Sequence, residues 1–352
     1  MDDNKNPQNE DNNKNTNNNS YPSILSFSKD LLEDIGFTEK FIVFKSINEL
    51  FTLVYINKDN SIISYDLNNF KKLSEIKTNF YYNITDLQYT FDIKNKRDLI
   101  MITSYNNEIQ IWDINKLECL TKIEINNEDG CHILSCFVNY NNELNIIISK
   151  RYGSKYPFMI YDIEGNKIKE VNNSYDYISN MYSYYDNKLN KNYIIVTNNY
   201  IESFDLNESK EYHEYENEIK KVMENKVNNI IIDDNEEIIK IIGLTKSNIQ
   251  IWNFNTGDKL INIDFGLAEP SRINNISHWN SDLYLISIYD RNENNTIINL
   301  VNLKDGKIIK NLMKCENENL ISINKMKHDS LGDVILVSTY NNKLKLLLPN
   351  KI

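Results

Sequence analysis

The apolar and polar positions of the chain repeat with a strand period rather than a helical one. Short β-branched runs such as LIMIT (99–103), YIIVT (193–197), IIGLT (241–245) and VILVS (334–338) end in polar turns of Asn, Lys and Ser. Unbroken apolar runs of this length suit strands buried on both faces, and the turns suit hairpins. Each run leads into a second one that ends on a hydrophobic residue followed by a polar turn. The clearest copies are EIQIWDIN (108–115) and NIQIWNFN (248–255). SIISYDLN, PFMIYDIE and YIESFDLN follow the same plan, and IINLVNLK and KLKLLLPN are weaker copies. The pairs at the end of these segments are Tyr65-Asp66, Trp112-Asp113, Tyr161-Asp162, Phe204-Asp205, Trp252-Asn253, Val301-Asn302 and Leu347-Leu348. Their spacing falls near the period of a four-stranded propeller blade.

Further strands flank each hairpin. ITDLQYTF, ILSCFVNY, ISNMYSYY and VNNIII read as innermost strands, and ECLTKIE, DKLINID and KIIKNLM as outermost ones. The expectation is an all-β chain: a seven-bladed β-propeller of four-stranded antiparallel blades over 41–352. The last repeat runs out after its third strand. An open outer edge exposes unpaired backbone groups, so YPSILSFS (21–28) is expected to supply the missing strand and close the ring, with Ile24, Leu25 and Phe27 packed on the last blade. The rest of the 21–40 segment, DLLEDIG, predicts a short helical turn with Asp30 and Glu33 as a capping box and Gly36 as its stop. Residues 1–20, MDDNKNPQNEDNNKNTNNNS, are too polar to offset their ordering entropy and predict a disordered tail.

Over residues 23–352 the repeats resemble the WD-repeat family. The Trp-Asp pair closing the third strand stands complete at Trp112-Asp113 and with Asn at Trp252-Asn253. The family's Gly-His pair is missing from every repeat. The polar network that stiffens typical blades is therefore reduced to fragments, with Thr103 or Ser104 beside Trp112. The resemblance implies that Tyr65, Trp112, Tyr161, Phe204 and Trp252 are structural, with Trp112 as a core anchor.

Composition narrows the function. Apolar residues make up 41% of the chain, enough for a sizeable core. There is no apolar run of membrane-spanning length and no basic-then-apolar leader pattern, so no membrane insertion is expected. The four cysteines, at 119, 131, 136 and 315, show no CxxC spacing and predict free thiols in the cytosol or nucleus. A net charge of −11 argues against nucleic acid, which calls for a basic stripe.

Candidate chemistry is thin. DFGLA at Asp264–Ala268 looks like the magnesium motif of protein kinases, but the glycine-rich loop, catalytic loop and other kinase parts are missing, and it reads as the end of an outer strand. No phosphate loop or nucleophile elbow occurs, and the four histidines lack metal-ligand spacing, so neither cofactor nor metal is expected. The acidic stretch 207–221 reads as a solvated outer strand and loop. Arginine is scarce, and family geometry puts Arg151, Arg272 and Arg291 on one rim, with Tyr152 and Tyr156 in the aromatic loop of Arg151. These five form the candidate partner-binding face. The function expected is a non-enzymatic scaffold for other proteins or peptides, a propeller subunit of a multiprotein complex. The alternatives are a hydrolase with carboxylates in the channel, or a ubiquitin-ligase substrate receptor. The latter's WDxR motif is broken by Asn115, and the FRRG motif of phosphoinositide-binding propellers is absent.

Overall fold

The computed structural model describes residues 25–32 and 41–349, apart from 81–83, 126–131, 152–155, 174, 176, 199, 216–226, 228, 235–237, 318, 329–330 and 341–342. The tail 1–20, with Ile24, Tyr152 and Cys131, lies outside the described residues. So do the side chains of Leu25 and Phe27.

Alternation within single strands builds the ring. In the second strand of the second blade, Arg97–Ser104, Leu99 and Met101 point one way and Ile100 and Ile102 the other, because successive side chains leave a strand on opposite faces. Ile100 and Ile102 pack with Val54, Ile56 and Ile62 of the first blade, whereas Leu99 and Met101 pack with Ile146 and Ile148 of the third. The same division produces seven apolar clusters, one between each pair of neighbouring blades. Each well-buried aliphatic side chain contributes about 1.5–3 kcal/mol, so the blades hold one another rather than a common centre.

The result is an all-β propeller of seven four-stranded antiparallel sheets. In each of the first six blades the strands pair in chain order from innermost to outermost. The innermost strands are Ile42–Lys45, Ile84–Asp92, Ile133–Tyr140, Asn180–Asp186, Asn229–Asp233, Arg272–Asn280 and Leu320–His328. All seven pairs read from the sequence, six of them hydrophobic-polar and the last Leu347-Leu348, fall at or near the ends of third strands. The seventh blade takes its outermost strand from the start of the chain: Leu25–Leu32 pairs with Leu344–Pro349, Phe27 opposite Leu348 and Lys29 opposite Leu346. The closing strand runs further than expected. Asp30 pairs with Lys345 and Leu32 with Leu344, so residues 30–32 are strand where a helical turn was expected. The exposed edge of the last blade offers these residues backbone partners that outweigh a local capping preference.

The polar residue closing the third strand has a specific task. Asp66, Asp113, Asp205 and Asn253 each accept backbone N–H groups two and three residues ahead, fastening the turn to the outermost strand. Asp162 does the same through Asn166. The residue after it (Leu67, Ile114, Ile163, Leu206, Phe254 or Leu303) is buried. The aromatic residue before it is less constant. Trp252 and Phe204 are fully buried, but Tyr65, Tyr161 and Trp112 are only half-buried. Trp112 is thus not the core anchor the sequence suggested. Nor does it meet Thr103 or Ser104: its Nε1 donates to Gln110 Oε1 at 2.9 Å, and Thr103 is bonded to Ser135.

The strand directions give the ring two unlike rims. One, the crossing rim, carries the turns between second and third strands together with the blade-to-blade crossings. The other, the hairpin rim, carries the turns between innermost and second strands and those between third and outermost strands. DFGLA begins on Asp264, the last residue of the outer strand Lys259–Asp264, and leads into the crossing to the sixth blade. The described part of the acidic stretch, 207–215, is a turn followed by the outer strand Lys210–Tyr215. Among the described residues no helix is long and apolar enough to cross a membrane.

Candidate functional site

On the crossing rim the channel opens into a cavity of about 500 Å³ walled by the innermost strands of the second to fifth blades. At its mouth stand Tyr105, His132 and Arg151. Strand geometry places them. His132 precedes the innermost strand of the third blade and Arg151 follows its second strand, so the two are cross-strand neighbours, with Arg151 N donating to His132 O at 2.7 Å. Tyr105 tips the second-to-third turn of the second blade and lays its ring edge-on to His132, centroids 3.9 Å apart. The guanidinium of Arg151 crosses to the fourth blade, where Nη2 donates to Ser179 O at 3.1 Å.

Two polar atoms here are unused. Arg151 Nε and His132 Nδ1 are buried and have no hydrogen-bonding partner among the described residues. A buried polar atom without a hydrogen-bonding partner costs about 1–3 kcal/mol, so the site would gain from a ligand that supplies one. Deeper in the cavity the only described carboxylate is Asp86, which accepts from Leu87 N and Gln88 Nε2. Cys136, also on the wall, is buried, and burial together with the Asp86 charge pushes its thiol well above the usual range. That makes it an inert thiol rather than a nucleophile. No group of three or more His, Cys, Asp or Glu that could hold a metal ion occurs among the described residues.

The candidate face read from the sequence is divided. Arg151 lies at the channel mouth. Tyr156 is half-buried between blades, with its hydroxyl 3.4 Å from Met159 Sδ, the Lys150 ammonium 4.5 Å above its ring and its own ionisation pushed up by burial. Arg272 and Arg291 are exposed together on the sixth blade, at the same end of the strands. Arg272 bonds Asn274 and sits 5.9 Å from the ring of Tyr289, its cross-strand partner. Arg97, the fourth arginine, is on the hairpin rim, where it is paired with the buried Asp92 at 2.9 Å.

Tyr105 and His132 were not singled out from the sequence, although a signal for Tyr105 was there. Tyr105, Tyr200 and Tyr340 all occupy second-to-third turns and all are exposed. The recurring SYNN and TYNN segments (104–107 and 339–342) place an aromatic residue at turns that polar side chains alone would serve. No protein-family model matches the chain, and no curated protein matches it either.

Proposed function

We propose that the protein is a non-enzymatic scaffold of WD-repeat type, working in the cytosol or nucleus, which holds a partner protein or peptide over the channel mouth of its crossing rim. The observation that carries this reading is the pocket of Tyr105, His132 and Arg151, in which Arg151 Nε and His132 Nδ1 have no hydrogen-bonding partner among the described residues. Arg and Tyr on a rigid frame are the residue types that dominate binding energy at interfaces. The propeller fold commonly serves as such a frame. Arg272 and Arg291, on a distant blade of the same rim, extend the surface for a partner long enough to lie across the opening. The free thiols of Cys119 and Cys136 support a reducing compartment. A two-carboxylate hydrolase is less well supported, because the described wall of the cavity offers Asp86 alone.

The test is affinity purification with mass spectrometry of the wild-type chain and of a Tyr105→Ala, Arg151→Ala double variant. The expected outcome is loss of the principal co-purifying partner from a chain that still melts cooperatively at a modestly lower temperature, since Tyr105 is exposed but Arg151 is half-buried and bonded to the fourth blade, changes that together cost about 1–2 kcal/mol. An unchanged partner set on an intact fold overturns the reading.

A further inference from the structure

The hairpin rim is studded with aliphatic side chains where turns ordinarily carry polar ones. Among the described residues, five of the seven turns between innermost and second strands present an exposed aliphatic: Ile47, Ile93, Leu189, Ile238 and Leu331. Only the third and sixth blades, with Asn141-Asn142 and Ser281-Asp282, keep polar tips. Turn positions favour Gly, Pro, Asn, Asp and Ser for backbone reasons, and an aliphatic tip adds nothing to the core. Ile93 is 79% exposed.

Three of these tips, those of Ile47, Ile93 and Leu189, are held by buried carboxylates. Asp92 accepts from Asn95 and Arg97 beneath Ile93. Burial pushes its carboxyl up, but those donors outweigh burial and hold it below its ordinary range. Asp186 accepts the backbone N–H of Lys188 and of Leu189 itself. The buried carboxylate of Asp98 accepts from Ile47 N, Tyr89 Oη and Asn115 Nδ2, clamping the first tip onto the second blade. Pre-ordered apolar tips bind without the entropy cost of ordering them.

Beside Ile93 the rim hollows into a groove of about 680 Å³ between the second and third blades, with Phe91, Ile93, Leu144 and Ile163 along it. Glu143, Asp162 and Glu164 stand at its edges. A lysine of the chain already samples this field. Lys94 Nζ lies 3.0 Å from Glu143 Oε1, and Glu143, Asp92 and Glu164 hold its ammonium above the ordinary range.

We propose that the hairpin rim is a second docking surface, independent of the channel mouth, and that its groove takes a partner segment with an apolar anchor flanked by Lys or Arg. The charge decides the occupant. An anionic membrane surface would meet carboxylates beside the aliphatics instead of the polybasic patch such surfaces attract. A second copy would set like charges face to face on a chain of net charge −11. The polar tail 1–20 has nothing to seat on the tips.

The experiment uses a fluorescent amphipathic peptide of Leu and Lys, its Leu–Glu counterpart, and vesicles of phosphatidylcholine with and without phosphatidylserine. Fluorescence anisotropy should show the Leu–Lys peptide binding the full chain and the Leu–Glu peptide binding far more weakly. Ile93→Asp and Glu164→Lys should each weaken the Leu–Lys peptide by roughly tenfold or more, the loss of an interface hot spot. Both positions are exposed, so melting curves should match wild type. Tyr105→Ala with Arg151→Ala should leave peptide binding unchanged, which separates this surface from the channel mouth. The proposal is overturned if the two peptides bind alike, if neither substitution on the hairpin rim matters, or if Ile93→Asp abolishes vesicle binding or self-association in a chain that ignores the Leu–Lys peptide.

Discussion

The second and fifth blades carry nearly the same third strand, EIQIWD and NIQIWN, and their tryptophans sit at different depths. Trp252 is 1% exposed and packs between the fourth and fifth blades with Tyr193, Tyr215 and Phe254. Trp112 is half-buried at the edge of the cluster between the first and second blades. The difference comes from the neighbouring strand. Gly243 lies opposite Gln250, and a Cβ there would stand 2.9 Å from Trp252 Cζ3 and 2.9 Å from Ile201 Cδ1. At the matching register Ile102 lies opposite Gln110, and its buried side chain fills the space that the glycine leaves for the indole. Trp112 therefore stays at the surface of its blade. There it joins a polar chain: Trp112 Nε1 to Gln110, Gln110 Nε2 to Glu108, and Glu108 to Lys122. One missing side chain on one strand sets whether the residue on the next is core or surface.

Removing the rings tests this contrast most severely. Trp252→Ala should cost about 3–5 kcal/mol in denaturant unfolding, the range for a large buried aromatic. Trp112→Ala should cost only about 1–2 kcal/mol, because a half-buried ring takes correspondingly less apolar area from water. Equal losses would break the comparison. Gly243→Ala should have an intermediate effect of about 1–3 kcal/mol by overpacking against the indole. That cost should largely vanish in a Trp252→Ala background, since the two positions contact each other. Additive costs would show that the glycine serves something other than the ring.

The smallest expected effect is a difference in pH response. Bonds from Glu124 and Glu108 hold the Lys122 ammonium above the ordinary lysine value of 10.5. Its contribution is therefore complete below pH 10.5 and is lost as pH rises through the higher folded-state value. In the fifth blade the same place, opposite Gln250, is held by the uncharged Asn262. Lys122→Met should lower the denaturation midpoint slightly at pH 8, and the gap to wild type should narrow as the pH is raised beyond 10.5. Asn262→Leu, compared over the same pH range, should show no such narrowing.

The ring was legible in the sequence because its signal is repeated seven times, so weak copies such as Val301-Asn302 are fixed by their spacing from strong ones. The closing strand was legible for a different reason, an edge in need of a partner. What single positions do was harder to read. The capping box at Asp30 and Glu33 is a local preference, and the ladder that overrides it is made with residues at the far end of the chain. The depth of Trp112 depends on Ile102, a choice made in another strand. Ile93 and Leu189 stand as single apolar residues between polar neighbours, and only the register shows that they are exposed turn tips. The candidate site was half legible: the arginine in a long turn drew attention to Arg151, but His132 meets it only through the register of their shared hairpin, and Tyr105 reaches the pair from the neighbouring repeat.

The pairing of Leu25–Leu32 with Leu344–Pro349 has a consequence for how the protein is made. Leu25–Leu32 leaves the ribosome well before its partner and waits for it, about 320 residues and roughly 15–60 s of synthesis later at ordinary translation rates. Until then the first and sixth blades each present an apolar flank built for a seventh blade that does not yet exist. Phe41, Leu53 and Leu67 of the first blade meet Met326, Leu336 and Leu346 of the seventh once it forms, and Leu285 and Leu300 of the sixth meet Ile323 and Val337. The nascent chain is thus an open arc with two adhesive ends, and a lengthened pause in translation near its end, or a crowded polysome, would favour arcs joining one another over arcs closing on themselves.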